Sequence, residues 1–386
     1  MNRMKVAFIL LSDPKGGGAF GYESNVVDAI KSQDNPDFDF VLYAPKNLAS
    51  EVKKRFPNMS VFSYNTGLVT MFFLSLRISL QGYKLLKTIG LRHGKIERSF
   101  IKNEVSLAYF LSPNSLALDL VDTPMINTVW DLGHRDIPEF VEITGDRHFE
   151  ERELFYRQVL PKSFRVVVET QQTLERIEAC YGLLTERIIV GGLEIAKFKS
   201  VSHGHPNNYK QFILYPAQFW PHKRHILLLK AFRNVCDQNS ECKLVLTGAD
   251  KGNLQHVKDV ALQLGIIDRV IFTGFVETSE LTHLMKTAHC LVFPSQLGPS
   301  NMPPLEAAMV GTPSIISSVH SDPVLLHPLI KIVPYQDPDV WATAILNAIN
   351  NPKPQNQIMD SVDSNLISEI IKSLLDFREL RSEWVS

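Results

Sequence analysis

The sequence predicts an α/β protein made of two Rossmann-like domains, each a doubly wound parallel sheet between helices. Three observations carry that prediction. Short apolar runs alternate with helix-length amphipathic segments along most of the chain, the pattern of strand–helix–strand units. The alternation breaks where the polar, irregular stretch FKSVSHGHPNNYK occupies residues 198–210, and then starts again. A chain of 386 residues is also long for one hydrophobic core and comfortable for two domains of ordinary size. The expected organisation is residues 1–197 as the first domain, 198–210 as linker and 211–364 as the second. Two such sandwiches are expected to face a deep interdomain cleft, where a two-substrate enzyme assembles its site.

The elements follow in order. Met4 to Leu11 has the continuous apolar character of a strand buried on both faces; a glycine loop follows, Ser24 to Lys31 begins a helix, and Phe38 to Tyr43 is the next strand. Leu107 to Leu111, Met125 to Val129 and Arg165 to Val168 extend this sheet. Past the linker the strands are Phe212 to Tyr215, Leu244 to Thr247, Val270 to Thr273, Cys290 to Phe293, Ser314 to Ile316 and Ile330 to Val333, with helices fitting between them. Asn365 to Trp384 is a terminal amphipathic stretch.

A net charge of −1 with interspersed charges leaves no electrostatic footprint for a polyanion, so nucleic acid is not expected as a partner. The four cysteines are scattered without a Cys-x-x-Cys pair, and the opening residues carry no signal-peptide pattern, which together point to a reducing cytosol. No apolar run reaches the roughly 18 residues that span a bilayer. The segment 67–102 reads as an amphipathic basic helix: Leu68, Met71, Phe72, Phe73, Leu74, Leu76, Ile78 and Leu80 precede seven cations opposed only by Glu97. Such a face either packs on a core or lies on anionic lipid at the inner side of a membrane.

The chemistry concentrates in Leu291 to Ser314, LVFPSQLGPSNMPPLEAAMVGTPS, where a strand runs through a Gly/Pro/Ser/Asn loop into a carboxylate-bearing helix and then Gly-Thr-Pro. A loop of this kind opens onto the crevice at the carboxyl edge of a parallel sheet, and the helix after it points unpaired N–H groups and a positive dipole end there. Glu306 falls about one turn inside that helix. Alone it is an acid offsetting a helix dipole, worth about 1 kcal/mol or less; beside the Pro303-Pro304 entry it reads as a ligand contact. The string resembles the donor-sugar motif of the family-4 retaining glycosyltransferases of GT-B fold, roughly EGFGLPPLEAMACGTPVI, most closely over Asn301 to Pro313.

That resemblance implies a set of site residues. Glu306 is implied to hold ribose hydroxyls. Ser300, Asn301 and Met302 are implied to meet sugar or phosphate oxygens through their backbone amides, with Pro303 and Leu305 beside them. Gly298 stands where the family has the first glutamate of this motif, eight residues before Glu306, so that side-chain contact is lost. Tyr215 to His225 looks like the family's GR-x-x-x-x-K-G loop, which makes Lys223 the cation for the departing diphosphate; Gln218 replaces the usual Arg, and Arg224 is the nearest substitute. Val276, in Thr273-Gly274-Phe275-Val276, is implied to sit beside the base.

In the first half, Gly16 to Gly21 formally satisfies G-x-G-x-x-G, but Leu42-Tyr43-Ala44-Pro45 offers no acid for a dinucleotide ribose. Gly17 and Gly18 are read instead as a loop approaching donor phosphates or acceptor. Thr128 to His134 resembles the family's TVHDL segment, with Trp130 where a His is usual; Asp131 is an acceptor-side candidate and His134 a partial substitute. Asp37-Phe38-Asp39 is a formal Asp-x-Asp at a strand entrance and is assigned to solvent. With no His/Cys cluster of ligand spacing, neither metal nor cofactor is expected. The terminal segment 365–386 is expected to cross back onto the first domain, as in the GT-B family. The expected activity is retaining transfer of a hexose-type sugar from a nucleotide-diphosphate sugar to an acceptor hydroxyl, saccharide or lipid-linked, in polysaccharide or glycolipid synthesis. A non-catalytic paralogue that binds a sugar nucleotide, and a nucleotide-sugar epimerase, are the rival readings.

Overall fold

A computed structural model describes residues 3–13, 18–65, 67–192, 209, 211–298, 302–320, 325–351, 358–359 and 365–383. The chain forms two compact units. Unit 1 comprises Met1–Leu132, Phe149–Leu193 and Ser364–Ser386; unit 2 comprises Gly133–His148 and Glu194–Asp363. Residues 133–148, counted with the first half of the chain by sequence, therefore group with unit 2.

The sheet of unit 1 has seven strands: β1 (Met4–Ile9), β2 (Phe38–Pro45), β3 (Val61–Tyr64), β4 (Leu107–Phe110), β5 (Met125–Val129), β6 (Arg165–Val168) and β7 (Ile188–Val190). Their order is β3-β2-β1-β4-β5-β6-β7, every pair parallel. Parallel sheets need helices on both faces, so their central strands are apolar throughout; Val6, Ala7, Phe8 and Ile9 of β1 are all buried. The two strands the sequence does not announce, β3 and β7, are the sheet edges. An edge strand pairs on one side only and can be short: β3 is four residues, interrupted by exposed Ser63, and β7 is three, apolar but too brief to stand out as a strand.

The helix Leu366–Ser382 belongs to unit 1. Its buried positions Leu366, Ile370, Leu374 and Phe377 recur every three to four residues and form one stripe, which joins the core around Val6, Phe8 and Ile30. Phe377 meets Phe164 with ring centroids 5.1 Å apart, and Arg378 pairs with Asp37 at 2.9 Å. The Asp-x-Asp motif is thereby accounted for: Asp37 and Asp39 flank the amino end of β2, the sheet edge opposite the loops that bind ligands in such folds, and Asp39 lies 4.0 Å from Lys5.

Segment 67–102 corrects the expectation of a continuous amphipathic helix. It is three helices, Leu68–Ile78, Leu80–Thr88 and Lys95–Lys102. Ser79 takes an extended conformation and caps the second helix by accepting from the Gly82 N–H, and Gly90, at φ 77°, ends that run. Glu97, the lone acid, is fully buried: one oxygen accepts the backbone N–H groups of Val121, Asp122 and Thr123 at 2.7–2.9 Å.

Unit 2 has six strands: β8 (Phe212–Pro216), β9 (Lys243–Thr247), β10 (Val270–Gly274), β11 (Cys290–Phe293), β12 (Ser314–Ser317) and β13 (Ile330–Val333). Their order is β10-β9-β8-β11-β12-β13, again all parallel. One core fills both faces, with Trp341 fully buried and its indole N–H donating to Pro334 O at 2.9 Å.

Gly248, just beyond β9, has φ 148°, donates to Gly274 O at 2.8 Å, and lies so close to Ala217 that a Cβ would strike its carbonyl. Only glycine fits there. Gly248→Ala is expected to destabilise the protein by on the order of 2 kcal/mol or more, read as a lowered thermal-unfolding midpoint.

Candidate functional site

In an open parallel sheet, ligands bind beyond the carboxyl ends of the two strands at which the strand order reverses. In unit 2 those strands are β8 and β11: β9 and β10 lie outward of one, β12 and β13 outward of the other. The loop after β8 carries Gln218, Lys223 and Arg224; the loop after β11 leads to the helix Met302–Met309, which carries Glu306. The fold thus puts the two sequence-predicted loops side by side.

A direct contact joins them. Lys223 Nζ donates to Ser295 Oγ at 3.2 Å and to Leu297 O at 2.8 Å, while Ser295 Oγ donates to Leu297 O at 2.6 Å. The ammonium also lies 5.8 Å from the Phe293 ring centre. Its backbone is fixed too, since Lys223 O accepts from Tyr215 Oη at 2.7 Å. Arg224 follows in the left-handed region at φ 57°, opens the helix His225–Gln238, and holds its guanidinium 5.9 Å from the Tyr335 ring centre.

Two histidines that sequence reasoning missed border this lysine. His320, beyond β12, is buried with Nε2 3.0 Å from Ser295 O, which makes Nε2–H the donor. Burial, with Lys223 adding to it, pushes its pKa down to about 4. His225 is buried against Phe219, ring centroids 4.6 Å apart, and burial followed by Lys223 lowers it to about 3. Both are neutral at neutral pH, so the fixed positive charge of this loop comes from Lys223 and Arg224 rather than from the histidines. Nothing in SSVHSD marks His320; only its place after β12 does.

Glu306 is half-buried and has no hydrogen-bond partner among the described residues. Burial raises its pKa to about 7. Met302 and Pro303 beside it are half-buried, whereas Leu305 is 3% exposed and part of the core, so its backbone alone is available to a ligand. Gln218 accepts from the Trp220 indole at 3.1 Å, and Val276 is half-buried just before the helix Thr278–Thr287. Gly311-Thr312-Pro313 has a structural explanation: Gly311, at φ 75°, and Thr312 donate back to Ala308 and Ala307 and end the helix, while Thr312 Oγ1 bonds Met285 O at 2.6 Å. Ser300 and Asn301 lie outside the described residues, as does Gly17.

In unit 1 the strand order reverses between β1 and β4. There the buried Glu23 accepts from Leu11 N and Ser12 N, each at 3.2 Å, from Ser12 Oγ at 3.0 Å and from Ser112 Oγ. This carboxylate takes the backbone N–H groups of Leu11 and Ser12, directly after β1. Gly18 opens the helix Gly18–Ser32. Asp131 is engaged as well: Arg152 donates to its Oδ1 at 2.5 Å and to its O at 3.1 Å, and Tyr156 Oη donates to the same O at 3.0 Å. His134 is fully buried and groups with unit 2, whereas Asp131 groups with unit 1. No group of three or more His, Cys, Asp or Glu suited to a metal occurs among the described residues.

Comparison with known proteins adds the following. Residues 197–364 match the family described as glycosyl transferases group 1. The chain is 29% identical over 133 residues to an uncharacterized glycosyltransferase of Methanocaldococcus jannaschii, covering 34% of this chain and 32% of that protein. It is 26% identical over 203 residues to the O-antigen chain mannosyltransferase RfbU of Salmonella typhimurium, covering 51% and 55%. The chain thus spans about a third to a half of the length of these curated relatives. Among solved structures, HepE of Anabaena in complex with UDP and glucose aligns over 99% of this chain and 100% of its own at TM-score 0.65 and 13% identity, a likeness of fold.

The Glu306 shift has a consequence for stability. Between the ordinary carboxyl value of 4.5 and about 7, the folded protein binds more protons than the unfolded one, so stability falls as pH rises through that window. Glu306→Gln is expected to stabilise the protein at pH 8 by on the order of 1 kcal/mol, seen as a higher melting temperature. The difference is expected to vanish below pH 4.5.

Proposed function

We propose that this chain, a GT-B protein whose residues 197–364 carry a glycosyl transferases group 1 domain, moves a hexose-type sugar from a nucleotide-diphosphate donor to an acceptor hydroxyl with retention of configuration. The observation that carries the reading is the Lys223 ammonium held at the β8/β11 reversal. When the sugar departs, the largest new charge is on the diphosphate, and a cation already in place stabilises it without reorganisation. Neutral His225 and His320 leave that charge undiluted by titration near neutral pH. Glu306, half-buried and without a hydrogen-bond partner among the described residues, is suited to accept two ribose hydroxyls, which replace the solvation that burial removes. The acceptor attacks on the face the diphosphate leaves, and the diphosphate takes its proton, so no second carboxylate is required.

Acceptor-side recognition is assigned to unit 1, with Asp131 set by Arg152. The setting is polysaccharide or glycolipid assembly, supported by the likeness to an O-antigen mannosyltransferase. No helix among the described residues is long and apolar enough to cross a membrane. We infer peripheral contact through residues 67–102 instead. Leu68 is 89% exposed, and Met71, Phe72, Leu80, Leu85 and Ile89 are also exposed, beside exposed Lys84, Lys87, Lys95, Arg98 and Lys102. The one acid of this stretch, Glu97, is buried away from that surface. Apolar side chains with cations around them suit an anionic bilayer.

Lys223→Met is expected to lower kcat/KM for sugar transfer by about 100-fold or more and to weaken nucleoside-diphosphate binding while sparing the nucleoside, measured by product release and thermal shift. Donor affinity is expected to rise as pH passes upward through about 7, where Glu306 becomes the acceptor carboxylate, and Glu306→Gln is expected to flatten that dependence. Unchanged binding and turnover in both variants contradict the reading. In flotation assays the protein is expected to bind vesicles with anionic lipid, and Phe72→Ser/Leu80→Ser/Lys84→Glu to lose that binding by about tenfold or more.

A further inference from the structure

Lys223 is only as well placed as the turn that carries it, and that turn is gripped from a distant part of the chain. Glu142, in the short helix Val141–Thr144, directs Oε1 at His222, the residue just before Lys223. It accepts the His222 backbone N–H at 2.9 Å and lies 3.0 Å from Nδ1. The pair is well buried, with side-chain exposures of 11% for Glu142 and 10% for His222. Phe140 meets the imidazole edge to face and Trp220 stacks on it, each with centroids 6.4 Å apart. On its other side, His222 O accepts from Gln296 N at 3.0 Å, and Gln296 stands between Ser295 and Leu297, the two residues that hold the Lys223 ammonium. His222 is therefore clamped at its N–H by Glu142 and at its carbonyl by the same loop that receives Lys223.

Two features mark this arrangement as costly to the fold. Arg224, the next residue but one, sits in the left-handed region without being glycine. Glu142 Oε2 is buried without a hydrogen-bond partner among the described residues. Strain and unsatisfied acceptors of this kind persist where the surrounding structure over-determines a position.

We propose that Glu142 is the positioning residue of the Lys223 loop: by holding His222 at both its backbone and its ring, it fixes the ammonium where a ligand diphosphate is received. The inference rests on the reading of Lys223 as the diphosphate cation. Glu142 touches no reacting atom; it acts through His222. It also makes the segment 133–148, remote in sequence from the loop after β8, part of the donor site's support.

The test is a double-mutant cycle on the full chain, using whichever of UDP, GDP and ADP gives the largest thermal shift, with its nucleoside as control. Glu142→Ala is expected to weaken diphosphate binding by about tenfold and leave the nucleoside within about twofold, while Glu142→Gln, which keeps an acceptor oxygen, restores most of the loss. In the Lys223→Met background, Glu142→Ala is expected to cost nothing more. Equal losses in both backgrounds, or equal losses for diphosphate and nucleoside, overturn the proposal and leave Glu142 as a fold residue. If Glu142→Ala does not fold, Glu142→Asp, one methylene shorter, is read in the same cycle. If Lys223→Met alone leaves diphosphate binding unchanged, the donor-site reading fails, and this inference with it; if Lys223→Met weakens binding and the Glu142 variants do not, only this inference fails.

Discussion

One ammonium group, tethered across the point where a parallel sheet reverses its strand order, organises unit 2. Removing a lysine's charge from bulk water is unfavourable unless hydrogen-bond acceptors and aromatic faces replace the lost hydration. Ser295 Oγ, Leu297 O and the face of Phe293 do so here. The same contacts stitch the loop after β8 to the loop after β11. The charge also acts on its neighbours: burial depresses His225 and His320 first, and Lys223 adds to it, so these rings serve as neutral struts. The site is electrostatically simple, and its strength comes from position.

Unit 1 repeats the topology with the opposite sign. At its own reversal, between β1 and β4, the residue that ties the two loops together is a carboxylate, Glu23, bonded to Leu11, Ser12 and Ser112. Burial raises its pKa, and the hydrogen bonds it accepts oppose that shift. Two related sheets thus place different charges at equivalent points: an ammonium in one, a carboxylate bonded to the Leu11 and Ser12 amides in the other.

Much of this was legible in the residues. Central strands of a parallel sheet are apolar on both faces and announce themselves, as β1 and β11 do; short edge strands such as β3 and β7 do not. The helix Met302–Met309 was readable because Pro303-Pro304 opens it and Gly311 ends it. Gly311-Thr312-Pro313 turned out to be a helix stop, a role that looks the same in sequence as a binding motif. What the sequence hid is the set of contacts made by residues far apart in the chain. Glu142 and His222 are separated by 80 positions, and His320 meets Ser295 across 25. Periodicity reports local structure and nothing about such pairs. Asp131 was legible as a candidate, but not its ion pair with Arg152, because the helix that brings Arg152 back is placed by packing.

The claim that bears the most weight is that the β8/β11 reversal of unit 2 receives the diphosphate. A crystal structure with a bound nucleoside diphosphate tests it most directly. The account predicts phosphate oxygens within about 3 Å of Lys223 Nζ and ribose hydroxyls on the Glu306 carboxylate. A diphosphate bound against other residues, with Lys223 still turned to Ser295 and Leu297 alone, would contradict it.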